Sequence, residues 1–357
     1  MKEGITMTYR NTYASVDLSG IKNNVNKIIS SYTGYKYYIG VVKADSYGHN
    51  SYEVVKAIIA GGCNYLAVSS LDEALEVRKY FSIPILCLGI IKPEYMSVCV
   101  DNNIDVTVTN LEYLKLIKEY KLNIHIKIDT GMNRLGVKDK DEFDLMIKEI
   151  DNSDLYLKGL FTHIYEASNS TNTLNQINRF KSITSDFDLN TIDMVHIAQS
   201  DTLMSYPKID FCNGCRLGII MYGLTNNDLS LESTIDLCSE IIEIKKLNKG
   251  DTVSYNGNYT ALEDELIGIV SIGYADGVNR KLTGSYVYIN DKRYQIIGNI
   301  CMDMLMVKID ESVKLFDKVY IYKDIEHINY LSKYIDTIPY ELICGISKRV
   351  PRVYKNK

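Results

Sequence analysis

Several chemically active side chains close apolar runs in this sequence. Lys43 ends "YYIGVVK", Asp129 ends "HIKID", His163 ends "GLFTH", His196 sits in "MVHIA", and Arg216 follows "FCNGC". The lysine is the odd one, because burial penalises its charged form and an uncharged amine is a nucleophile. Any one of these could be a satisfied polar residue at a strand end. Together, on successive strands of one domain, they read as a site.

The elements that must position them alternate. Short β-rich runs recur as "YYIGVVKA", "NYLAVS", "PILCLGI", "IDVTVT", "NIHIKID", "LYLKGLFTH" and "DMVHIA". Helical patterns such as "SLDEALEVRKYF" and "NLEYLKLIKEYK" lie between them, opening on Ser or Asn as N-caps. Near-continuously apolar strands joined by helices imply a parallel sheet covered on both faces, and about eight units over some 230 residues suit a (β/α)₈ barrel. A doubly wound open sheet is the alternative. In a barrel, active sites lie at the C-terminal ends of the strands, where these side chains fall. After residue 235 the strands "IIEIKKL", "DTVSYN", "ELIGIVSIGYA", "SYVYIND", "RYQIIGN", "LMVKID" and "KVYIYK" follow one another through turns such as Asn290-Asp291. That predicts an α/β chain with a barrel over 1–235 and a mainly antiparallel β domain over 236–357, to which residues 1–15 could add a first strand.

The 357 residues are 46% hydrophobic and 24% charged, ordinary for a chain that buries a large core. A net charge of -5 leaves no basic surplus for a phosphate backbone, so nucleic acid is not an expected partner. Eight cysteines sit mostly in apolar stretches, which argues against a disulfide framework. The C-x-x-C at Cys212 and Cys215 has no second pair, so no metal is expected. The first residues form no signal-peptide core and no apolar run is long enough to span a membrane. The expectation is a cytoplasmic chain, or the cytoplasmic domain of a longer membrane-anchored protein.

Eight segments, "VVKADSYGH", "KIDTGMNRLG", "GLFTH", "RLGIIMYGL", "VSYNGNYTA", "IGYADGVNR", "ICMDMLMV" and "PYELICGISKRVPRVY", resemble in order the signature segments of the alanine racemase family. The resemblance implies a pyridoxal 5'-phosphate-dependent amino-acid racemase, an isomerase that supplies D-amino acid for peptidoglycan. Lys43 matches the lysine that carries the cofactor, and Tyr47 the tyrosine that holds its phosphate. Ser200, Gly218 and Ile219 match the other phosphate ligands. Barrel logic independently places a phosphate site after strands seven and eight. Arg216 matches the arginine facing the cofactor's ring nitrogen, His163 a histidine against the ring, and Arg134 an arginine near its phenolic oxygen and the substrate.

Racemisation removes a proton on one face and returns one on the other, which calls for two bases. Lys43 and Tyr255 match them, the tyrosine reaching in from a neighbouring subunit. Tyr274 matches a tyrosine lining the substrate's way in. Met302 matches a methionine whose N–H holds the substrate carboxylate, again from the partner. The resemblance therefore implies an obligate head-to-tail homodimer with composite sites. Lys127 matches a position that is carbamylated in some family members, and both a carbamate and a plain lysine salt bridge remain open. Asp303, after Met302, is either an acid supporting the site or a turn cap.

Two departures stand out: Gln199 replaces an expected Asn in "HIAQSDTL", and the stretch from Cys212 to Arg216 is one residue longer than usual. Tyr340 in "PYELICG", which fills space beside the phosphate, favours alanine. Serine racemases of the glycopeptide-resistance type tend to carry Asn there, which leaves serine, or both substrates, as the alternative. A non-catalytic cofactor-binding barrel would lack the β domain with Tyr255. A decarboxylase would show a glycine-run phosphate loop and a cysteine motif not found here.

Overall fold

A computed structural model describes residues 9–50, 52–225 and 229–355. After strand β1 (Tyr13–Asp17) and helix Leu18–Ser31 come eight parallel strands. They are β2 (Tyr37–Val41), β3 (Tyr65–Val68), β4 (Ile85–Cys87), β5 (Ile104–Val108), β6 (Asn123–Lys127), β7 (Tyr156–Phe161), β8 (Met194–His196) and β9 (Gly214–Leu217). They close into a barrel through β2 and β9, which pair from Tyr37 with Gly214 to Gly40 with Leu217. The (β/α)₈ reading therefore holds over the open sheet. The two N-caps also hold: Ser70 accepts from the N–H of Glu73 and Asn110 from that of Tyr113.

Period-2 alternation divides each barrel strand between lumen and helical layer. In β6, His125 and Lys127 share the lumen face, which leaves Ile124 and Ile126 for the helices. The lumen departs from the usual aliphatic layers of such barrels, because Tyr65, Asp105, His125, His196 and Arg216 are all buried there. Gly159 on β7 makes this possible: a Cβ at that residue would sit 2.5 Å from His125 Nδ1.

The remaining strands are β10 (Ile235–Leu247), β11 (Thr252–Val253), β12 (Tyr259–Thr260), β13 (Glu265–Val270), β14 (Tyr286–Ile289), β15 (Lys292–Ile297), β16 (Leu305–Ile309), β17 (Lys318–Tyr322) and β18 (Arg352–Lys355). The sheet runs β13-β16-β15-β14-β17-β10-β1-β18, and β13 also pairs with β10, which closes six antiparallel strands on themselves. Asn290 and Asp291, both at positive φ, make the two-residue turn between β14 and β15. β1 pairs with β10 antiparallel and with β18 parallel, so the first strand of the chain lies in the C-terminal sheet. Helix Ile325–Tyr334 follows β17, where the strand patterning gave no sign of it. No helix among the described residues is long and apolar enough to cross a membrane.

Candidate active site

A cavity of about 540 Å³ opens at the C-terminal ends of the barrel strands. Lys43 and Tyr47 line it after β2, Lys127 and Arg134 at and after the end of β6, and His163 after β7. Ser200, Arg216, Gly218, Ile219 and Tyr340 complete it. Four of its lining side chains are cationic, against one carboxylate, Asp201, among the described residues. A concave site with that imbalance is built for anions.

Lys43 follows β2 and opens a turn that is left-handed. Ala44, Asp45 and Ser46 sit near φ 52 to 55 and ψ 48 to 50, with Tyr47 at φ 54. This segment is therefore not an ordinary right-handed helical turn. Left-handed backbone costs L-residues roughly 1–2 kcal/mol each, so the surroundings must over-determine it. They do so with the Gly48 N–H on Ala44 O at 2.9 Å, Glu73 Oε1 accepting from the Ala44 N–H at 2.7 Å, and Arg352 Nε on Gly48 O at 2.9 Å. His49 Nδ1 faces the Ser46 and Tyr47 carbonyls at 3.1 and 3.0 Å, so that nitrogen carries the proton. Burial holds His49 neutral, its pKa down to about 4. The turn brings the Lys43 amine and the Tyr47 phenol to one cavity. Burial, and then the positive charge of Arg134, lower the pKa of Lys43.

Arg216 on β9 is 4% exposed, and both of its terminal nitrogens are engaged. Its guanidinium donates to the carbonyls of His196, Thr162 and Ile197 and to His196 Nδ1 at 2.7 Å. With Nδ1 accepting, His196 carries its proton on Nε2, which donates to His125 Nδ1 at 3.1 Å. His125 Nε2 in turn faces Asp105 Oδ2 at 3.8 Å, and Lys158 pairs with that same oxygen at 2.9 Å. Burial lowers the pKa of Arg216 to about 10, so it stays protonated at neutral pH. His196, a strand-end candidate in the sequence, is thus the support of Arg216 and is itself wholly buried.

Three donors converge across from this column. The Gly218 N–H lies 3.0 Å from Ser200 Oγ, and a Cβ on Gly218 would sit 3.0 Å from Tyr47 Oη and 3.3 Å from Ser200 Oγ. Only a glycine leaves that cradle open. Gln199 caps the helix Ser200–Ser205 by accepting from the Asp201 N–H at 2.8 Å, a job the expected Asn would do as well.

Lys127, at the end of β6, is 5% exposed and lies over the Phe161 ring at 5.8 Å. Burial, followed by Arg134 and Arg216, lowers its pKa to about 8. His163 is driven to about 3 by burial and then by Arg216 and Arg134, so its imidazole is neutral. Asp129, read as a site residue, instead accepts from the N–H groups of Gly131 and Asn133, both at 3.0 Å. It shapes the loop that presents Arg134 and does not line the cavity.

Tyr255, Tyr274 and Met302 do not line it either. They belong to neighbouring loops of the β domain. The Tyr274 N–H bonds Cys301 O at 2.9 Å, the Ala275 N–H bonds Met302 O at 3.0 Å, and Asn299 Nδ2 donates to Tyr255 O at 2.8 Å. All three side chains are exposed, at 71%, 42% and 52% respectively. Asp303 pairs with Arg349 at 2.8 Å, and Arg349 reaches the buried Asp276 at 2.9 Å, which ties the Tyr274 and Met302 loops to the C-terminal arm.

Residues missed in the sequence include His49, Phe161 and Cys344. Phe161 carries Lys127, Arg216 and the His196 ring, which stacks on it at 4.7 Å. Its place two residues before His163, at the end of β7, was the available signal. Cys344 lines the cavity from the C-terminal domain, where nothing in its spacing distinguishes it from the other cysteines.

The family model for the N-terminal domain of alanine racemase matches residues 16–226, and that for its C-terminal domain matches residues 234–354. The chain is 38% identical to alanine racemase 1 of Bacillus subtilis strain 168, over 97% of this chain and 93% of that one. Its fold superposes on the crystal structure of alanine racemase from E. faecalis with a TM-score of 0.92 at 31% identity, covering 97% and 99% of the two chains. The alanine racemase of Bacillus anthracis with bound L-Ala-P gives 0.90 at 33% identity, covering 98% and 96%.

Proposed function

Because the chain belongs to the alanine racemase family, we propose that it binds pyridoxal 5'-phosphate and interconverts L- and D-alanine, for peptidoglycan, with Lys43 and Tyr255 as its two bases. The observation that carries this reading is the division of the site. A lysine amine whose charged form burial disfavours lies in a cationic cavity of the barrel, while Tyr255 and Met302 stand together, exposed, on the other domain. A head-to-tail homodimer unites them. The apolar residues exposed on that domain, Tyr255, Leu262, Met302 and Met304, suit such an interface.

The residues fit the cofactor. The cradle of Tyr47, Ser200 and Gly218, with Ile219 behind it, suits a phosphate, and Lys43 is the amine for its aldehyde. When bound, the cofactor supplies an electron sink that makes the α-proton of an attached amino acid acidic. Arg216, held by four bonds, would keep its proton when set against the ring nitrogen, which would make that sink shallow and disfavour side reactions. Neutral His163 packs without adding charge, Arg134 faces the substrate, and Tyr340 closes the pocket. Lys43 moves a proton on one face and the partner's tyrosine on the other, with Met302 N–H holding the carboxylate. The purified protein incubated with L-alanine and pyridoxal phosphate yields D-alanine by chiral chromatography; none at any cofactor concentration would overturn the reading.

Lys127 is proposed to be carbamylated. Its neutral amine adds to carbon dioxide, forming an N–C bond and releasing one proton, and the resulting anion offsets Arg134 and Arg216. Without carbon dioxide, folding disfavours the charged amine, whose pKa falls from 10.5 to about 8. The penalty is fully present below about 8 and is relieved as pH rises toward 10.5. Thus the Tm of the wild type should gain on that of Lys127→Met across this window in carbon-dioxide-free buffer, and bicarbonate near pH 8 should stabilise only the wild type. Absence of a carbamate carbon resonance with ¹³C-bicarbonate would remove the proposal.

Substrate choice rests on Tyr340, whose ring lies 6.1 Å from that of Tyr47. Tyr340→Asn frees room and a donor for a hydroxyl, and it should shift kcat/KM toward serine over alanine by about tenfold, within the 1–3 kcal/mol such differences are worth. An unchanged ratio would take Tyr340 out of the specificity pocket.

A further inference from the structure

Tyr255 sits in the hairpin loop between β11 and β12, and its main chain is more tightly specified than an exposed tip requires. Ser254 before it has φ 67 and ψ -177, a region in which side-chain-bearing residues are rarely found, and Asn256 after it has φ 62. The base of the hairpin packs on a small separate core of Val253, Ile267, Ile297 and Met306. Above it, one side chain gathers the loop. Asn299 Nδ2 donates to Tyr255 O at 2.8 Å, and Asn299 Oδ1 accepts from Asn258 Nδ2 at 3.1 Å, across the loop. The Asn299 carbonyl also accepts from Ser254 Oγ at 2.7 Å. The preceding Gly298, at φ 63, lets the two segments approach: a Cβ there would fall 2.9 Å from Ser254 Cβ. Among the described residues, Asn299 is the one side chain bonded to the Tyr255 main chain, whereas the phenol itself is left free to reach outward.

Asn299 stands three residues before Met302, on the segment that also binds the Tyr274 loop through main-chain bonds. We propose that Asn299 is a positioning residue for Tyr255: its carboxamide locks the tyrosine to the Met302 segment, so that the proton-transferring group and the carboxylate ligand are presented as one rigid unit. This rests on Tyr255 being a base. A base on a strained, multiply bonded turn holds its geometry without help from substrate, and small misplacements of reacting groups are costly.

Asn299→Asp keeps the shape and the acceptor for Asn258 but turns an oxygen toward the Tyr255 carbonyl. Asn299→Ala removes both bonds. Because L- and D-alanine are isoenergetic, kcat/KM must fall equally in both directions, by an expected factor on the order of 10 to 100. The α-deuterium isotope effect separates the bases. It should rise for the antipode whose α-proton Tyr255 takes, identified as the one whose solvent exchange is lost in Tyr255→Phe, and fall for the other. Should Asn299→Ala fail to fold, the isosteric Asp variant carries the test. Activity within twofold of wild type, or a loss with both isotope effects unchanged, would overturn the positioning role while leaving Tyr255 as a base. Full racemisation by Tyr255→Phe would overturn both.

Discussion

Lys43→Ala is expected to lose racemisation by more than about 10³-fold, together with the visible absorption of a lysine-attached cofactor. The substitution removes the amine that the left-handed turn brings to the cavity, and neighbouring groups cannot stand in. Arg134 and Arg216 offer guanidinium groups in place of an amine, and Lys127 leaves from a different strand, β6, above Phe161. The fold should survive, because the amine is only partly buried and the bonds that hold the turn come from Glu73, His49 and Arg352. Persistence of the visible band in this variant would place the cofactor on another group and sink the assignment of Lys43.

Tyr255→Phe should lower racemisation by about 10²- to 10⁴-fold, the usual worth of a positioned acid–base group. Only a phenolic oxygen is removed from a ring that is 71% exposed in the single chain, so thermal stability should hardly move. The informative result lies in the exchange of the α-proton with solvent. With Lys43 intact, one antipode continues to exchange while the other does not, because each base serves one face. Exchange lost for both antipodes would mean a single shared base.

Much of this site was legible in the sequence because barrel geometry converts position into function. Lys43, His163 and Arg216 announced themselves as polar closures of apolar strands, and period-2 alternation along β6 puts Lys127 on one face with His125. Other features depend on partners that spacing does not reveal. The residues of the left-handed turn, Ala44 to Tyr47, contain no glycine or asparagine to signal positive φ; only Gly48 and the distant Glu73 and Arg352 make that conformation stable. β1 precedes the first barrel helix in the chain yet pairs with β10 and β18, more than 200 residues away; the sequence allows for a first strand of the β domain within residues 1–15, but its partners have no local signature. Asp129 misled for a related reason: an acid at a strand end can equally close the loop after it, and here its carboxylate is spent on the Gly131 and Asn133 amides. The bond from Asn299 to Tyr255 joins two loops 44 residues apart, visible only once β11 and β15 are folded together.

The composite site is tested most directly by mixing two dead proteins. Lys43→Ala and Tyr255→Phe protomers are dissociated, combined in equal amounts and reassociated, and racemisation is measured against each variant treated alone. Random pairing makes half of the dimers mixed, and each mixed dimer holds one site with native Lys43 from one protomer and native Tyr255 from the other. About one quarter of wild-type activity should therefore return. Recovery no greater than the sum of the two variants treated separately would contradict a site shared between subunits.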